Sequence, residues 1–312
     1  MRTLGNVTIP CRGATRRPSA SWRLGALCLL LGVAAGCGSG GGPGERTVTI
    51  QNKGSDTMVN VAQAWAEAYH EVKPDVAIEV SGGGSGPGMA ALDNGMVDIA
   101  NSSRDIKPDE ISTAQKNTGK KPHPVIVGYD ALAVYVHKDN PLKEITFEQL
   151  TGIFAEGGTL TRWSQLGVAL PGGGDDTIVR VSRQSSSGTY EFFREHALGN
   201  KDFKLGSRDM NGSKEVVELV GNTLTAIGYS GMGYATPAVR MVPVVPPGGG
   251  PAVMPTVVTT LKKEYPIARS LLMATLGEPQ GATKDYLDWI LSPAGQKILE
   301  ASGYVPVAAA KP

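Results

Sequence analysis

The segment that decides the fold begins at residues 47–74, which read TVTIQNKGSDTMVNVAQAWAEAYHEVKP. Alternation of apolar and polar side chains over residues 47–51 predicts a β-strand. Apolar residues then recur at helical spacing from Met58 to Tyr69. Two more strands and a short helix are predicted directly downstream, at residues 76–80, 97–100 and 89–93. This β-α-β-α order predicts an α/β fold in which helices cover both faces of a mostly parallel sheet.

Further along the chain, residues 125–137 form an apolar run that is longer than a typical strand. Gly128 and Asp130 could break this run at the point where the chain passes between two lobes. The stretch 243–255 is rich in Pro and Gly, which predicts a loop or a crossing back. The other predicted elements are a strand at residues 178–182 and three helices at residues 146–154, 189–196 and 286–298. The last helix is predicted to be broken near Pro293.

The first 36 residues have the composition of a secretory signal peptide. They contain five arginines and no acidic residue, and their apolar stretch, residues 24–35, is too short to span a bilayer as a stable helix. Small residues precede Cys37 and resemble a bacterial lipobox, although Ala34 stands where that pattern usually has Leu. We expect a signal peptide at residues 1–36, a lipidated Cys37 and a flexible tether over residues 37–46. An ordinary signal peptide followed by a chance cysteine is the alternative.

Cleavage before Cys37 would change both the charge and the thiol content of the protein. The whole chain has 30 basic and 29 acidic residues, and loss of the five arginines leaves 25 against 29, a net charge of −4. Cys11 and Cys28 would leave with the signal, so no disulfide is expected. A negative protein gains nothing from long-range attraction of anions, so no nucleic-acid partner is expected and any anion site must be built locally.

Four loops share one design, in which a strand is followed by Ser, Thr or Gly and then by a helix. The first turn of a helix presents unpaired N–H groups and the positive end of its dipole, which together attract an anion. Strands of one sheet bring such turns together at their carboxyl edge, and Arg183 adds a cation to the fourth loop. Each loop alone could equally be a helix N-cap, because Ser and Thr are common there. The four loops lie at residues 53–58, 84–87, 101–104 and 183–189.

The motifs of these loops carry a family resemblance. They are GSDT at 54–57, GGGSG at 82–86, VDIANSSR at 97–104 and R-x-x-x-SGT at 183–189. In this order and spacing they resemble the phosphate-binding proteins of bacterial ABC importers, over residues 47 to 307. The resemblance implies a two-lobe periplasmic-binding-protein fold of type II, in which each lobe is a mostly parallel sheet flanked by helices and two crossing strands form the hinge. Lobe 1 would hold residues 47–129 plus 239–312, and lobe 2 would hold residues 130–238.

The same resemblance implies a function and a set of ligand residues. The protein would bind inorganic phosphate with high affinity outside the cytoplasmic membrane and deliver it to the permease subunits of an ABC importer. It would be a monomer without cofactor or metal, located in the periplasm or at the cell surface and attached to the membrane through its lipid anchor. Carried over by motif, the phosphate ligands would be Ser55, Asp56, Thr57, Ser85, Ser103, Arg183, Ser187, Gly188 and Thr189.

One residue departs from the family pattern. Better-known members carry an aspartate where this chain has Ser103. That carboxylate accepts the proton of hydrogen phosphate and repels sulfate, whereas a serine hydroxyl penalises sulfate far less. Asp56 in the first loop is the obvious substitute acceptor, but it could equally be a cap of the following helix. The choice between phosphate and sulfate therefore stays open at this stage.

Three other functions are compatible with parts of the sequence. An enzyme is disfavoured because Ser187 and His196 would lie on opposite sides of one helix and no Gly-x-Ser-x-Gly elbow occurs. The four histidines show no ligand spacing, which disfavours a zinc site. The same fold could instead serve another tetrahedral oxyanion, such as sulfate or molybdate. A surface lipoprotein for adhesion or sensing is the third alternative.

Overall fold

In the computed structural model the described residues are 47–307. The predicted signal peptide, Cys37 and the tether lie outside the described residues, as do residues 308–312, so these predictions stay predictions. The strands of the described part are β1 (Val48–Gly54), β2 (Val76–Ser81), β3 (Ile99–Ser102), β4 (Pro122–His137), β5 (Val179–Arg183), β6 (Arg208–Met210), β7 (Ala226–Gly231), β8 (Val239–Val242) and β9 (Ala268–Leu276).

The α-helices alternate with these strands and mostly follow the predicted apolar spacing. α2 starts four residues earlier than predicted and α8 starts five residues earlier, at Gly281. The break predicted near Pro293 is confirmed, since α8 ends at Leu291 and α9 begins at Pro293. The helices are α1 (Val59–Val72), α2 (Ser85–Asp93), α3 (Pro108–Thr118), α4 (Phe147–Phe154), α5 (Gly188–His196), α6 (Ser213–Gly221), α7 (Val257–Leu261), α8 (Gly281–Leu291) and α9 (Pro293–Ala301).

The first lobe is built on a half-sheet with the strand order β2-β1-β3-β9-β4. β1 pairs in parallel with β2 and β3, whereas β9 pairs antiparallel with β3 and β4. The apolar face of α1, including the buried Trp65 and Tyr69, packs on this half-sheet together with Leu271 and Tyr286. The helical spacing read from the sequence is therefore the spacing of the residues that fill this core.

The second lobe is built on a half-sheet in which β4, β7, β5 and β6 follow one another and β8 adds to β4. β5 is parallel to β6 and β7, and β4 pairs antiparallel with β7 and β8. The buried rings of Phe154, Phe193 and Tyr229 pack together in its core, with Phe193 and Tyr229 stacked 3.9 Å apart. In both lobes the strands that carry the polar loops are parallel, and the antiparallel pairs lie at the crossing strands.

β4 passes through both lobes without interruption. Its pairing with β9 shifts register between Ile126 and Gly128, which is a bulge rather than the break that the sequence suggested. Beyond Ala131 the same strand leaves β9 and pairs with β7 from Leu132 onward. The long apolar run is therefore a single strand that belongs to two sheets, and it is buried from Asp130 to Val136.

The return crossing lies further along the chain than the sequence indicated. The prediction gave residues 239–267 to lobe 1, but β8 pairs with the second half of β4. Val242, Val244, Tyr265 and Ile267 are also buried in the core of the second lobe. The chain therefore re-enters the first lobe only at β9, and the Pro- and Gly-rich stretch is a loop of lobe 2.

Within residues 47–307, none of the helices is long and apolar enough to cross a membrane.

Candidate functional site

The polar loops of the first lobe meet at the carboxyl ends of β1 and β3. Ser55 Oγ donates to Ser103 Oγ over 2.8 Å, and Ser103 N donates to Ser85 Oγ over 3.2 Å. Ser85 and Ser103 are brought within 3.5 Å at their hydroxyl oxygens because α2 begins at Ser85. All three side chains are buried. Adjacent parallel strands thus gather three hydroxyl groups from three separate loops.

The second lobe presents the first turn of α5 to these hydroxyl groups. Ser187 caps this helix by accepting the N–H of Thr189 over 3.2 Å. Thr189 Oγ1 lies 2.8 Å from Thr57 Oγ1 of the first lobe, so the two lobes are in contact at the site. Apart from this capped Thr189 N–H, the first N–H groups of α5 lack partners within the helix and can donate to an anion.

Two glycines allow this close contact between the lobes. A Cβ atom at Gly188 would lie 2.3 Å from Ser85 Oγ, well inside van der Waals distance. Gly84 has a φ of 105°, and a Cβ there would lie 2.7 Å from the carbonyl oxygen of Ser186. Gly86 N donates to the same carbonyl over 3.1 Å. The lobes therefore touch through backbone at positions where a side chain would hold them apart.

Arg183 contributes its guanidinium at the edge of this cluster. It is 1% exposed, and its Nη atoms donate to Ser213 Oγ, to the Asn211 carbonyl and to Asp56 Oδ2, the last over 3.2 Å. The Asp56 carboxylate also accepts Gly83 N over 2.8 Å. Arg183 Nε is buried and has no protein partner. The Asp56–Arg183 ion pair joins the first lobe to the second.

A second arginine, which sequence reasoning missed, reaches the hydroxyl groups directly. Arg269 of β9 donates to the Ser103 carbonyl over 3.2 Å and to Thr189 Oγ1 over 3.0 Å. Its Nη2 lies 3.4 Å from Thr57 Oγ1. Asp130 Oδ2 holds the guanidinium through contacts of 3.0 Å and 2.7 Å. A lone arginine within the apolar strand 268–276 was the signal that could have identified it.

The electrostatics of the site balance two arginines against two carboxylates. Burial lowers the pKa of the Arg183 guanidinium below its usual range, although Asp56 opposes this change. Burial raises the pKa of the Asp130 carboxyl, and the Arg269 guanidinium and the Met232 N–H act in the opposite direction. Because the side-chain charges cancel, an anion here would depend on hydroxyl groups and helix N–H groups to stabilise its charge.

The structure brings the predicted ligand residues together at one junction between the lobes. Ser55, Thr57, Ser85, Ser103, Gly188 and Thr189 form its centre, and Asp56, Arg183 and Ser187 lie next to it. Contact of each residue with phosphate stays a prediction. Ser102 and Arg104, which flank Ser103, have other partners. Ser102 Oγ donates to the Arg104 carbonyl, and the Arg104 guanidinium forms ion pairs with Glu110 and Glu191. Among residues 47–307, no group of three or more His, Cys, Asp or Glu side chains could hold a metal ion.

The fold and this junction define a two-lobe solute-binding protein, in which loops of both lobes close on a small polar ligand. A family model described as the PBP superfamily domain matches residues 41–294. The chain is 34% identical over 273 residues to the phosphate-binding protein PstS of Pseudomonas aeruginosa, covering 83% of each protein. It is 31% identical over 287 residues to PstS of Bacillus subtilis, covering 88% of this chain and 90% of that protein. The chain belongs to the PBP superfamily and, within it, to the family of PstS phosphate-binding proteins.

Solved structures give the same result. A phosphate ABC transporter substrate-binding protein from Clostridium perfringens, solved with bound phosphate, is similar with a TM-score of 0.72 and 31% identity. The match covers 83% of this chain and 99% of that chain. An ABC-type phosphate transport receptor from Vibrio cholerae has a TM-score of 0.65 and 27% identity, covering 82% and 99%. The family and the two-lobe fold predicted from the sequence are confirmed.

Proposed function

We propose that this protein is a receptor for inorganic phosphate that delivers its ligand to an ABC importer. The observation that carries the proposal is the junction of hydroxyl groups, helix N–H groups and Arg269 between two closed lobes. Relatives named phosphate-binding protein and a similar structure with bound phosphate support this ligand.

The site chemistry suits a tetrahedral oxyanion. Its donors come from different directions, as the oxygens of a tetrahedral ion require, and they include five hydroxyl groups: Ser55, Thr57, Ser85, Ser103 and Thr189. Hydrogen bonds to a charged group contribute roughly 1.5–3 kcal/mol each. Micromolar binding corresponds to about −8 kcal/mol, which several such bonds can supply after the costs of immobilising the ion and closing the lobes.

A binding role rather than catalysis is part of the proposal. In the described part of the chain, the hydroxyl groups at the junction bond to one another, to backbone and to Arg269, and none bonds to a histidine. His196, at the far end of α5, stacks on Phe192 instead. A serine without a general base lacks the activation that nucleophilic catalysis requires.

We propose further that the protein is a monomer outside the cytoplasmic membrane, in the periplasm or at the cell surface. The basic and apolar leader and the small residues before Cys37 support a lipid anchor. In its closed form the receptor would dock on the permease subunits of the importer. Mass spectrometry of the protein purified from membranes tests the anchor. We expect a mature chain that begins at Cys37 and carries a diacylglyceryl group on that cysteine.

Titration calorimetry tests the ligand. The purified protein, freed of bound anion, is titrated with phosphate, sulfate and molybdate at one pH. We expect micromolar or tighter binding of phosphate and much weaker heat from sulfate. Absence of phosphate binding would contradict the proposed function.

A second candidate is a receptor for tetrahedral oxyanions in general, and one observation favours it. The Ser103 hydroxyl hydrogen-bonds with the hydroxyl groups of Ser55 and Ser85, so a hydroxyl group and not a carboxylate stands at the position that would repel sulfate. Asp56 is the alternative acceptor in the first loop, but Gly83 and Arg183 already engage its oxygens. Equal affinities for phosphate and sulfate in the titration would establish this broader specificity.

A further inference from the structure

A cluster of charged side chains joins the two lobes beside the anion site. Arg104 directly follows Ser103 in the first lobe, and Glu191 lies one turn beyond Gly188 on α5 of the second lobe. Arg104 Nε lies 2.6 Å from Glu191 Oε2. The other Glu191 oxygen is paired with Lys107 of the first lobe. One carboxylate of the second lobe therefore holds two cations of the first.

Contacts within the first lobe hold the Arg104 side chain in place independently of Glu191. Its Nη1 and Nη2 donate to the two carboxylate oxygens of Glu110 over 2.9 Å and 2.6 Å, and Nη1 also donates to the Asp105 carbonyl over 2.8 Å. Glu110 is in turn held by Lys107 N at the start of α3, over 2.8 Å. These contacts lie within one lobe and would persist on opening. Within this charged cluster, the contacts of Arg104 and Lys107 with Glu191 are the ones that connect the lobes and would break on opening.

Burial strengthens the ion pairing of Glu191 with Arg104. The side chain of Arg104 is 4% exposed and that of Glu191 is 22% exposed, so the pair is only weakly screened by salt. Burial works against the charge of Arg104, but Glu110 and Glu191 outweigh it and raise the pKa of the guanidinium. The contact between Arg104 Nε and Glu191 Oε2 is an ion pair without hydrogen-bond geometry, so loss of the Glu191 carboxylate would remove a charge interaction from this partly buried junction.

We propose that Glu191 is a positioning residue that holds the lobes closed through Arg104 and Lys107 and thereby sets how slowly the bound anion leaves. The proposal rests on the function proposed above. Glu191 does not touch the hydroxyl cluster; it keeps the first turn of α5 against the loop that carries Ser103. Closing contacts of this kind act on the dissociation rate more than on the association rate.

The experiment compares wild-type protein with Glu191→Gln by stopped-flow binding and release of phosphate. Loss of the carboxylate should raise the phosphate dissociation rate about tenfold and leave the association rate within about twofold. Glu218→Gln is the matched control, because it removes one negative charge from an exposed position of the same lobe. The control should release phosphate at the wild-type rate.

Two further measurements separate positioning from a general loss of stability. In a variant cycle, Lys107→Met should add little to Glu191→Gln, since both act on the same contact. Solution scattering should show a larger radius of gyration for Glu191→Gln than for the wild type at equal phosphate. A wild-type dissociation rate and radius in Glu191→Gln would overturn the proposal. If the wild type binds no phosphate, the proposed function fails instead, and the scattering comparison still decides whether Glu191 closes the lobes.

Discussion

Two arginines lie at the junction, and their hydrogen-bond partners differ. Arg183 lies at the end of β5 and is held by Asp56, Ser213 and the Asn211 carbonyl. Arg269 lies on the crossing strand β9 and reaches the hydroxyl groups themselves while Asp130 fixes it. Arg183 therefore ties the first-lobe loop to the second lobe, and Arg269 supplies the cation closest to the hydroxyl cluster.

Arg269→Lys should reduce phosphate affinity by about 10- to 100-fold, or about 1.4–2.8 kcal/mol. Lysine keeps the charge but loses the planar fork that bonds Asp130, Thr189 and Ser103 at once. Titration calorimetry measures the affinity. Arg240→Lys, on β8 and away from the junction, is the control and should bind phosphate like the wild type.

Removal of the charge altogether separates binding from folding. Arg269→Met leaves Asp130 buried without its cation, which should lower the free energy of unfolding by about 3–5 kcal/mol. Adding Asp130→Asn should restore most of this loss, because the amide oxygen can still accept the Met232 N–H. Phosphate affinity should stay low in the double variant. A double variant that resists urea as well as the wild type does and also binds phosphate with wild-type affinity would contradict the role of Arg269.

Asp93 gives the fold a pH dependence that is unrelated to the ligand. Burial, with repulsion from Glu110 and Asp109, raises the pKa of its carboxyl from 3.8 to about 6. The folded state therefore binds the proton more tightly than the unfolded state, so stability falls as pH rises from about 4 to about 6. Asp93→Asn should raise the free energy of unfolding at pH 7 by about 1 kcal/mol and flatten its change between pH 5 and pH 7. Urea unfolding at both pH values checks this; an equal pH dependence in the variant would contradict it.

At the scale of the elements, three helix N-termini converge where three strands end. α1 follows Thr57, α2 begins at Ser85 and α5 begins at Gly188. The Thr57 and Thr189 hydroxyl groups contact each other, and the Ser103 hydroxyl links that of Ser85 to that of Ser55. None of these turns is an anion site by itself, because Ser and Thr commonly cap helices. Their convergence follows from the parallel pairing of β1 with β3 and from the closure of α5 onto them.

Gly188→Ala tests this close approach. The added methyl group would meet Ser85 Oγ at 2.3 Å and Ser103 Oγ at 3.0 Å, so the lobes could not close fully. Phosphate affinity should fall by at least about tenfold, while the unfolding midpoint should change little, since alanine suits a helix. Gly212→Ala at the start of α6 is the control, because a Cβ there meets nothing within 4 Å. Equal phosphate affinity of Gly188→Ala and the wild type would show that the site tolerates a wider gap.

At the scale of the whole molecule, β4 and β9 connect the lobes, and several contacts at the anion site join the lobes as well. The contacts at the site are polar, and they include the Thr57–Thr189 bond, the Asp56–Arg183 pair, the Gly86–Ser186 backbone bond and the Arg104–Glu191 pair. The large apolar clusters lie within each lobe. A polar interface of this kind can separate without exposing a hydrophobic core, which favours motion of the lobes as rigid bodies.

Phosphate should therefore compact the molecule. Its donors belong to both lobes, so the anion binds the closed state more tightly than the open state and shifts the population toward it. Small-angle scattering should show a smaller radius of gyration with phosphate than after its removal by dialysis. An unchanged radius, together with measurable binding, would mean that the lobes are closed without ligand.

Local properties of the sequence determined the elements and the candidate site. Apolar spacing from Met58 to Tyr69 gave α1, because a helix repeats every 3.6 residues whatever surrounds it. The loop motifs identified residues that do meet, because strand–loop–helix units place such turns at one edge of a sheet. The family follows from the order and spacing of the same motifs.

Only the tertiary structure decided which partners these residues have. No local pattern indicates that Arg269 lies against Thr189, that β8 joins the second lobe or that Glu191 holds Arg104, because each of these contacts joins residues about 80 or more positions apart. The run 125–137 likewise has the composition of one buried strand, and its passage between two sheets depends on β7, β8 and β9, which pair with it. The periodicity of a sequence indicates which residues are buried. Which residues of the two lobes contact each other depends on packing between segments that are distant in the chain.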